Sequence, residues 1–124
     1  MAQVPSSPSL KPQLVAASDV ISTRDAALLR DGLQAVDRSD WFEVRQAESQ
    51  INDTTARDVV TWYRARRDWR MSFDEMDRAL TRLSEWPDTA AIRNRTEEVM
   101  ELSSLDARAR VAWFETHGGA RTGA

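Results

Sequence analysis

The stretch that decides the fold is residues 72–83, which read SFDEMDRALTRL. Ser72 followed by Glu75 is a capping box, in which the two side chains satisfy free backbone amides at a helix start. The large apolar residues of the stretch recur every three or four positions, as one face of a helix requires. These residues are Phe73, Met76, Leu80 and Leu83. The stretch therefore predicts an amphipathic helix that begins at Ser72.

The same helical spacing extends over most of the chain, from about residue 19 onward. It predicts an all-α fold of about six antiparallel helices, each about 11 to 16 residues long.

In the first helix the predicted buried face is Ala26, Leu29, Leu33 and Val36, and Gly32 marks a close approach of a neighbouring helix. The expected starts are near Ser22, Asp40, Thr54, Ser72, Pro87 and Ser104, with a stop at Gly118-Gly119. Stacked pairs in an α-solenoid and a closed bundle share this pattern, and we expect the solenoid.

The composition of the chain argues against several classes of function. The chain has 124 residues, 17 Lys plus Arg against 20 Asp plus Glu, a net charge of −3 and no cysteine. This length suits one domain, and the absence of cysteine excludes disulfides, thiolate metal sites and cysteine nucleophiles. The acidic balance argues against nucleic-acid binding by the chain as a whole. No stretch approaches the roughly 20 apolar residues of a membrane span.

The first residues differ in composition from the rest. Residues 1–18 contain three of the four prolines together with several serines, a mixture that opposes helix formation. We predict a flexible lead over 1–18 and a helical region over 19–124. Ala2-Gln3 is compatible with the start of a chain from which a signal peptide has been removed, and the turn-like residues 121–124 suggest a chain cut from a longer one.

Six short motifs occur in a fixed order along the chain: Asp40-Trp41, Trp62, Ser72-Phe73-Asp74-Glu75, Glu85-Trp86-Pro87, Ala112-Trp113-Phe114 and Arg121-Thr122-Gly123-Ala124. Together they resemble the N-terminal superhelical region of the soluble lytic murein transglycosylases of Gram-negative bacteria. Residues 60–63 and 86–93 match that region best. The resemblance covers roughly residues 25–124, and its strength lies in the ordered series rather than in any single motif.

The resemblance implies a specific role. Enzymes of this family cleave the glycan between N-acetylmuramic acid and N-acetylglucosamine without adding water, and they leave a 1,6-anhydro product. One glutamate of a separate lysozyme-like domain acts as acid and then as base. The resemblance therefore implies that this chain is a non-catalytic periplasmic scaffold without a cofactor. Its implied partners are the catalytic domain of its own longer chain and peptidoglycan.

Several acidic residues are candidates for chemistry. Glu48-Ser49 lies between two glutamines, and the family's catalytic motif also contains a Glu-Ser pair near a glutamine. The rest of that motif is missing, so we expect Glu48 to be an ordinary helix residue. Carboxylates also cluster at Asp37 and Asp40, at Asp74 and Asp77, and at Glu97, Glu98 and Glu101. We expect such groups to pair with arginines one turn away, as in Asp74 with Arg78 and Glu97 with Arg93.

Basic and aromatic residues alternate between positions 62 and 70. Arg64, Arg66, Arg67, Arg70 and Trp69 are the candidates for a surface contact, because such mixtures stack bases or grip phosphates in other proteins. Helical geometry places the aromatic and basic residues on different faces, so burial of the aromatic face is favoured. The other tryptophans are expected to be packing anchors. His117 is the only histidine, and we expect it to interact with the C-terminal dipole of a helix.

Two functions of other classes stay open. A stand-alone helical-repeat adaptor would bind a protein partner in its groove. A small nucleic-acid binder would use the region from Arg64 to Arg70 and would bind in a salt-dependent way.

Overall fold

The fold is all-α. A computed structural model describes residues 20–118, in which six helices and no strands occur. The helices are α1 (Thr23–Asp37), α2 (Trp41–Gln50), α3 (Thr54–Arg67), α4 (Phe73–Arg82), α5 (Thr89–Glu101) and α6 (Ala107–Thr116). The predicted lead over 1–18 and the turn at 121–124 lie outside the described residues. No helix within 20–118 has the length and apolar character needed to cross a bilayer.

Side-chain caps start most of the helices. Five of them begin after a serine or aspartate whose side chain accepts a hydrogen bond from the amide three residues later. The capping residues are Ser22, Asp40, Asp53, Ser72 and Asp106. At Ser72 both halves of the predicted capping box are present. The local sequence therefore determines where these helices begin.

Two helix starts differ from the prediction, whereas the stop at Gly118 agrees with it. Helix α6 begins at Ala107, after the cap residue Asp106, rather than near Ser104. Pro87 lies in the turn before α5 rather than in its first helical turn, and Asp88 adopts a left-handed conformation with φ of 61°. Asp88 makes no side-chain cap, so α5 is the helix that lacks one. The last helix ends at Thr116, two residues before Gly118, whose φ is +82°. The left-handed glycine thus follows the cap residue His117.

The apolar residues form two cores that meet at α3. Residues of α1, α2 and α3 build the first core, and residues of α3, α4, α5 and α6 build the second. Val60 belongs to the first core and Ala65 to the second, and neither side chain is exposed. Consistent with this, α3 packs against α1, α2, α4 and α5. The position of α3 therefore determines how the two halves of the molecule fit together.

The predicted buried faces are correct for α4 and displaced for α1. Phe73, Met76, Leu80 and Leu83 are all buried, as their spacing predicts. In α1 the buried residues are Asp25, Gly32, Ala35 and Val36, whereas Ala26, Leu29 and Leu33 are half-buried. The difference arises because α1 packs against both α2 and α3, so tertiary contacts select a face that is rotated from the most apolar stripe.

Gly32 allows α1 and α2 to approach closely, as the sequence predicts. A Cβ atom at this position would lie 3.0 Å from Cβ of Ala47 and 3.7 Å from Cγ2 of Val60. Both neighbours are buried, so neither can move away without disturbing the first core.

We expect Gly32→Ala to lower the free energy of unfolding by about 1–2 kcal/mol, because overpacking of the α1–α2 contact costs more than the roughly 1 kcal/mol that alanine gains in helix propensity. Urea denaturation measures the effect. Gln34→Ala, an exposed change in the same helix, is the control and should alter stability by less than about 0.5 kcal/mol. Equal stability of the two variants would contradict the close approach.

Candidate binding groove

A polar groove lies between α3 and α4, with the end of α2 at one side. Its volume is about 990 Å³. The lining contains four arginines and four acidic residues, together with three threonines. Charged groups stand on both walls of the groove. We therefore take it as the candidate functional site.

The base of the groove is an ion-pair cluster centred on Arg64. Only 4% of Arg64 is exposed. Its guanidinium donates to Glu48 on α2 at 2.6 Å, to Glu75 on α4 at 3.0 Å and to Asp68 after α3 at 3.2 Å. Arg45 of α2 adds two hydrogen bonds to Glu75, at 3.2 and 3.3 Å. The cluster thus joins three consecutive helices through charged hydrogen bonds, which are stronger than neutral ones.

The cluster changes the pKa of two of its members, Arg64 and Glu75. Burial disfavours the charge on Arg64, but the carboxylates of Glu48 and Glu75 outweigh this effect and raise its pKa above the ordinary value. Burial of Glu75 acts in the direction of a higher pKa. Hydrogen bonds from the Ser72 amide and Arg64, with the charges of Arg64 and Arg45, outweigh it and lower the pKa of Glu75 to about 2. These groups are therefore ionised at neutral pH.

Glu48 is a structural ion-pair partner in this geometry. Besides the Arg64 contact, it accepts a hydrogen bond of 2.5 Å from the Thr61 hydroxyl. A general acid of a glycosidase needs surroundings that favour its protonated form and a position beside the bond to be cleaved. Here both carboxylate oxygens of Glu48 are already occupied, one by the buried Arg64 guanidinium and the other by the Thr61 hydroxyl. Glu48 is thus part of the ion-pair cluster, and the expectation that it is an ordinary helix residue stays a prediction.

The predicted pairs of acids and arginines form only in part. Arg93 donates to the buried Glu97 at 3.2 Å, as predicted. The predicted pair of Asp74 with Arg78 is wrong, since within residues 20–118 Arg78 makes no ion pair. Asp77 instead accepts a hydrogen bond of 2.7 Å from the indole of Trp113.

The other acidic candidates lie apart from the groove. Asp40 caps α2, while Asp37, Glu98 and Glu101 are exposed. Over the described part of the chain, no three acidic or histidine side chains are placed to hold a metal ion.

The predicted surface residues between 64 and 70 are brought together only in part. Arg64 is buried in the cluster, and Arg66 binds Asp88 at 3.1 Å while lying over the Trp62 ring at 4.3 Å. The other three candidates, Arg67, Trp69 and Arg70, are exposed around the α3–α4 turn. Helix α3 ends at Arg67, so Arg70 does not share its face as a continuous helix would require. On the exposed turn, however, the Arg70 guanidinium lies over the Trp69 ring, 5.1 Å from its centroid. Arg64 and Arg66 are therefore engaged inside the fold, whereas Arg67, Trp69 and Arg70 stay at the surface.

The aromatic residues pack largely as predicted. Trp41 and Trp113 are buried, and Trp62 and Trp86 are partly buried against the second core. Trp69 is the exception, with 72% of its surface exposed.

His117 closes α6. Its Nδ1 atom lies 2.8 Å from the carbonyl oxygen of Trp113, and its ring stacks on the Trp113 ring at 4.1 Å. It occupies the C-cap position, in agreement with the predicted contact with the end of a helix.

A buried aspartate and a half-buried arginine that hold α3 were not predicted. Asp25 of α1 accepts hydrogen bonds from the amides of Asn52 and Asp53, at 3.1 and 2.8 Å. Arg95 of α5 donates to three carbonyl oxygens at the other end of α3, those of residues 64, 65 and 68, at distances between 2.5 and 3.3 Å. Burial lowers the pKa of Arg95. Both contacts join residues far apart in the chain, so no local pattern signals them.

Comparisons of the chain with protein-family models, with curated proteins and with solved structures found no match. The functional argument therefore depends on the residues and their geometry.

We expect Arg64→Met to lower the free energy of unfolding by about 3–5 kcal/mol, because three carboxylates lose their shared counter-charge. Urea denaturation at neutral pH measures the loss. Arg67→Met, an exposed change in the same helix, is the control and should have an effect below about 0.5 kcal/mol. A loss below about 1 kcal/mol for Arg64→Met would show that the cluster does not hold the helices together.

Stability should fall in acid because of Glu75. Its pKa is about 2 in the folded chain and 4.5 as an ordinary value, so the carboxylate stabilises the fold above pH 4.5. This contribution is lost as the pH falls from about 4.5 to about 2. Urea midpoints measured across this range should fall less steeply for Glu75→Gln than for the unchanged chain. If the urea midpoints of both chains fell equally with pH, the loss of stability in acid would not come from Glu75.

Proposed function

We propose that this chain is the non-catalytic helical scaffold of a periplasmic soluble lytic transglycosylase. In this proposal the helix pairs stack as an open solenoid and support a catalytic domain of the same longer chain. That domain cleaves peptidoglycan glycan strands. The proposal depends on one observation, the ion pair between Glu48 and the buried Arg64. This ion pair uses the Glu48 carboxylate to join α2 to α3.

The residues of the resemblance support a scaffold role because they join or start helices. Trp62 of α3 donates its indole N–H to the carbonyl oxygen of Pro87, at 2.7 Å, and so fixes the turn before α5. Trp113 of α6 donates in the same way to Asp77 of α4. Asp40 and Ser72 start α2 and α4. A motif series whose members hold successive helices together is what a scaffold requires.

The second candidate is a stand-alone adaptor that binds a protein partner. Its support is the exposure of large apolar side chains, which is typical of interaction surfaces. Phe42 is 63% exposed, Trp69 72% and Leu102 90%. Neither candidate requires turnover by this chain alone.

We expect the purified chain to release no 1,6-anhydromuropeptides from peptidoglycan, because the proposal places the catalytic glutamate in a separate domain. Mass spectrometry of the soluble products measures release, and an active lytic transglycosylase is the positive control. Glu48→Gln should give the same result while it lowers stability. Release of anhydro products by the unchanged chain would overturn the proposal.

Sedimentation with purified sacculi separates the two candidates. The scaffold proposal expects the chain to pellet with sacculi. A chain that stays in the supernatant but captures a stoichiometric protein partner would support the adaptor and contradict the scaffold.

A further inference from the structure

The groove between α3 and α4 contains three guanidinium groups with unused hydrogen-bond donors. Within the described residues, Arg78 is exposed and has no ion-pair or hydrogen-bond partner. Arg82 uses only its Nε atom, which donates to Asp58 at 2.9 Å. Arg57 uses Nε and Nη2, which both donate to the carbonyl oxygen of Ile51. Several N–H groups therefore remain available to a ligand.

The carboxylates of the groove are largely committed to internal partners. Both oxygens of Glu48 and both of Glu75 accept hydrogen bonds from Arg64 or other neighbouring groups. Asp58 accepts from Arg82, and Asp77 accepts from an indole. Although acids and arginines are equal in number, the groups left for a ligand are mainly donors.

These donors stand on both walls of the groove. Arg78 and Arg82 are four residues apart on α4, which separates them by about 6 Å along the helix axis. Arg57 lies on α3, next to the Asp58 that Arg82 contacts. Thr54 and Thr81 add hydroxyl groups, one on each wall. An extended ligand between the helices would therefore contact the arginines one after another along its length, rather than all at a single point.

We propose that this groove binds a short extended peptide that carries several carboxylates. The planar guanidinium fork matches a carboxylate with two parallel hydrogen bonds, so Arg78 and Arg82 each receive one carboxylate. Threonine hydroxyls can bond the peptide backbone. The inference does not depend on the proposed scaffold role.

The charge balance of the groove selects this ligand over a dense polyanion. The committed carboxylates still repel negative charge, and the chain as a whole has a net charge of −3. A phosphate polymer places charge along its whole length, so it would meet Asp58, Asp77 and Glu75 as well as the arginines. In an extended peptide successive side chains point to opposite sides, so the carboxylates that face the arginines are about 7 Å apart, close to the spacing of Arg78 and Arg82.

Calorimetric titration tests the proposal with two matched probes, N-acetylated and C-amidated tetraglutamate and the same peptide made of glutamine. We expect saturable binding of tetraglutamate with Kd below about 1 mM, weakened by added salt, and no binding of the glutamine peptide. Inorganic phosphate at equal concentration should not displace tetraglutamate. Equal binding of both peptides, displacement by phosphate, or no saturable binding would overturn the proposal.

Variants locate the site. Arg78→Glu should weaken tetraglutamate binding about tenfold or more, and Arg78→Gln should weaken it by less. Arg108→Glu is the matched control, since Arg108 is exposed on α6 outside the groove, and it should change Kd less than about twofold. Circular dichroism checks that each variant is folded. Equal weakening by the Arg78 and Arg108 changes would contradict the groove as the site.

The result is independent of the sacculus experiment. Binding of tetraglutamate without sedimentation supports the groove while it contradicts the scaffold role. Sedimentation without peptide binding supports the scaffold role while it overturns the groove.

Discussion

The structure depends on the burial of one positive charge. Arg64 is almost fully enclosed, and its guanidinium is balanced by carboxylates from α2, from α4 and from the residue after α3. A buried guanidinium without these partners would cost several kcal/mol, so the three carboxylates must stay in place for the chain to fold. The charge therefore constrains where α2, α3 and α4 lie relative to one another. Apolar contacts are not directional, so they constrain these positions less.

The ends of α3 add a second constraint of the same kind. The amides before its start donate to Asp25, and the carbonyl groups at its end accept from Arg95. Helix ends leave backbone groups without partners, and buried groups of this kind must be satisfied. Because the partners come from α1 and α5, satisfying the ends of α3 also ties together the two apolar cores that meet on this helix.

The charged residues of the groove differ in whether they have partners inside the fold. The carboxylate that most resembles a catalytic acid, Glu48, is one of the groups that hold Arg64, and Glu75 serves both this cluster and the capping box of α4. Both acids thus link helices through hydrogen bonds to Arg64. The arginines that remain with free donors, above all Arg78, line the rim of the same groove. If the groove binds the proposed peptide, structural and binding roles are divided between neighbouring charges.

The sequence by itself determined the all-α class, the six helices and most of their starts, because caps and apolar spacing act within a few residues of one another. It also determined the buried face of α4 and the close approach at Gly32. Tertiary structure alone decided which face of α1 is buried, that Arg64 is enclosed while Arg78 stays free, and that Asp25 and Arg95 hold α3. The physical reason is that these outcomes depend on charges and backbone groups 16 to 31 residues apart, which meet only after the helices have packed.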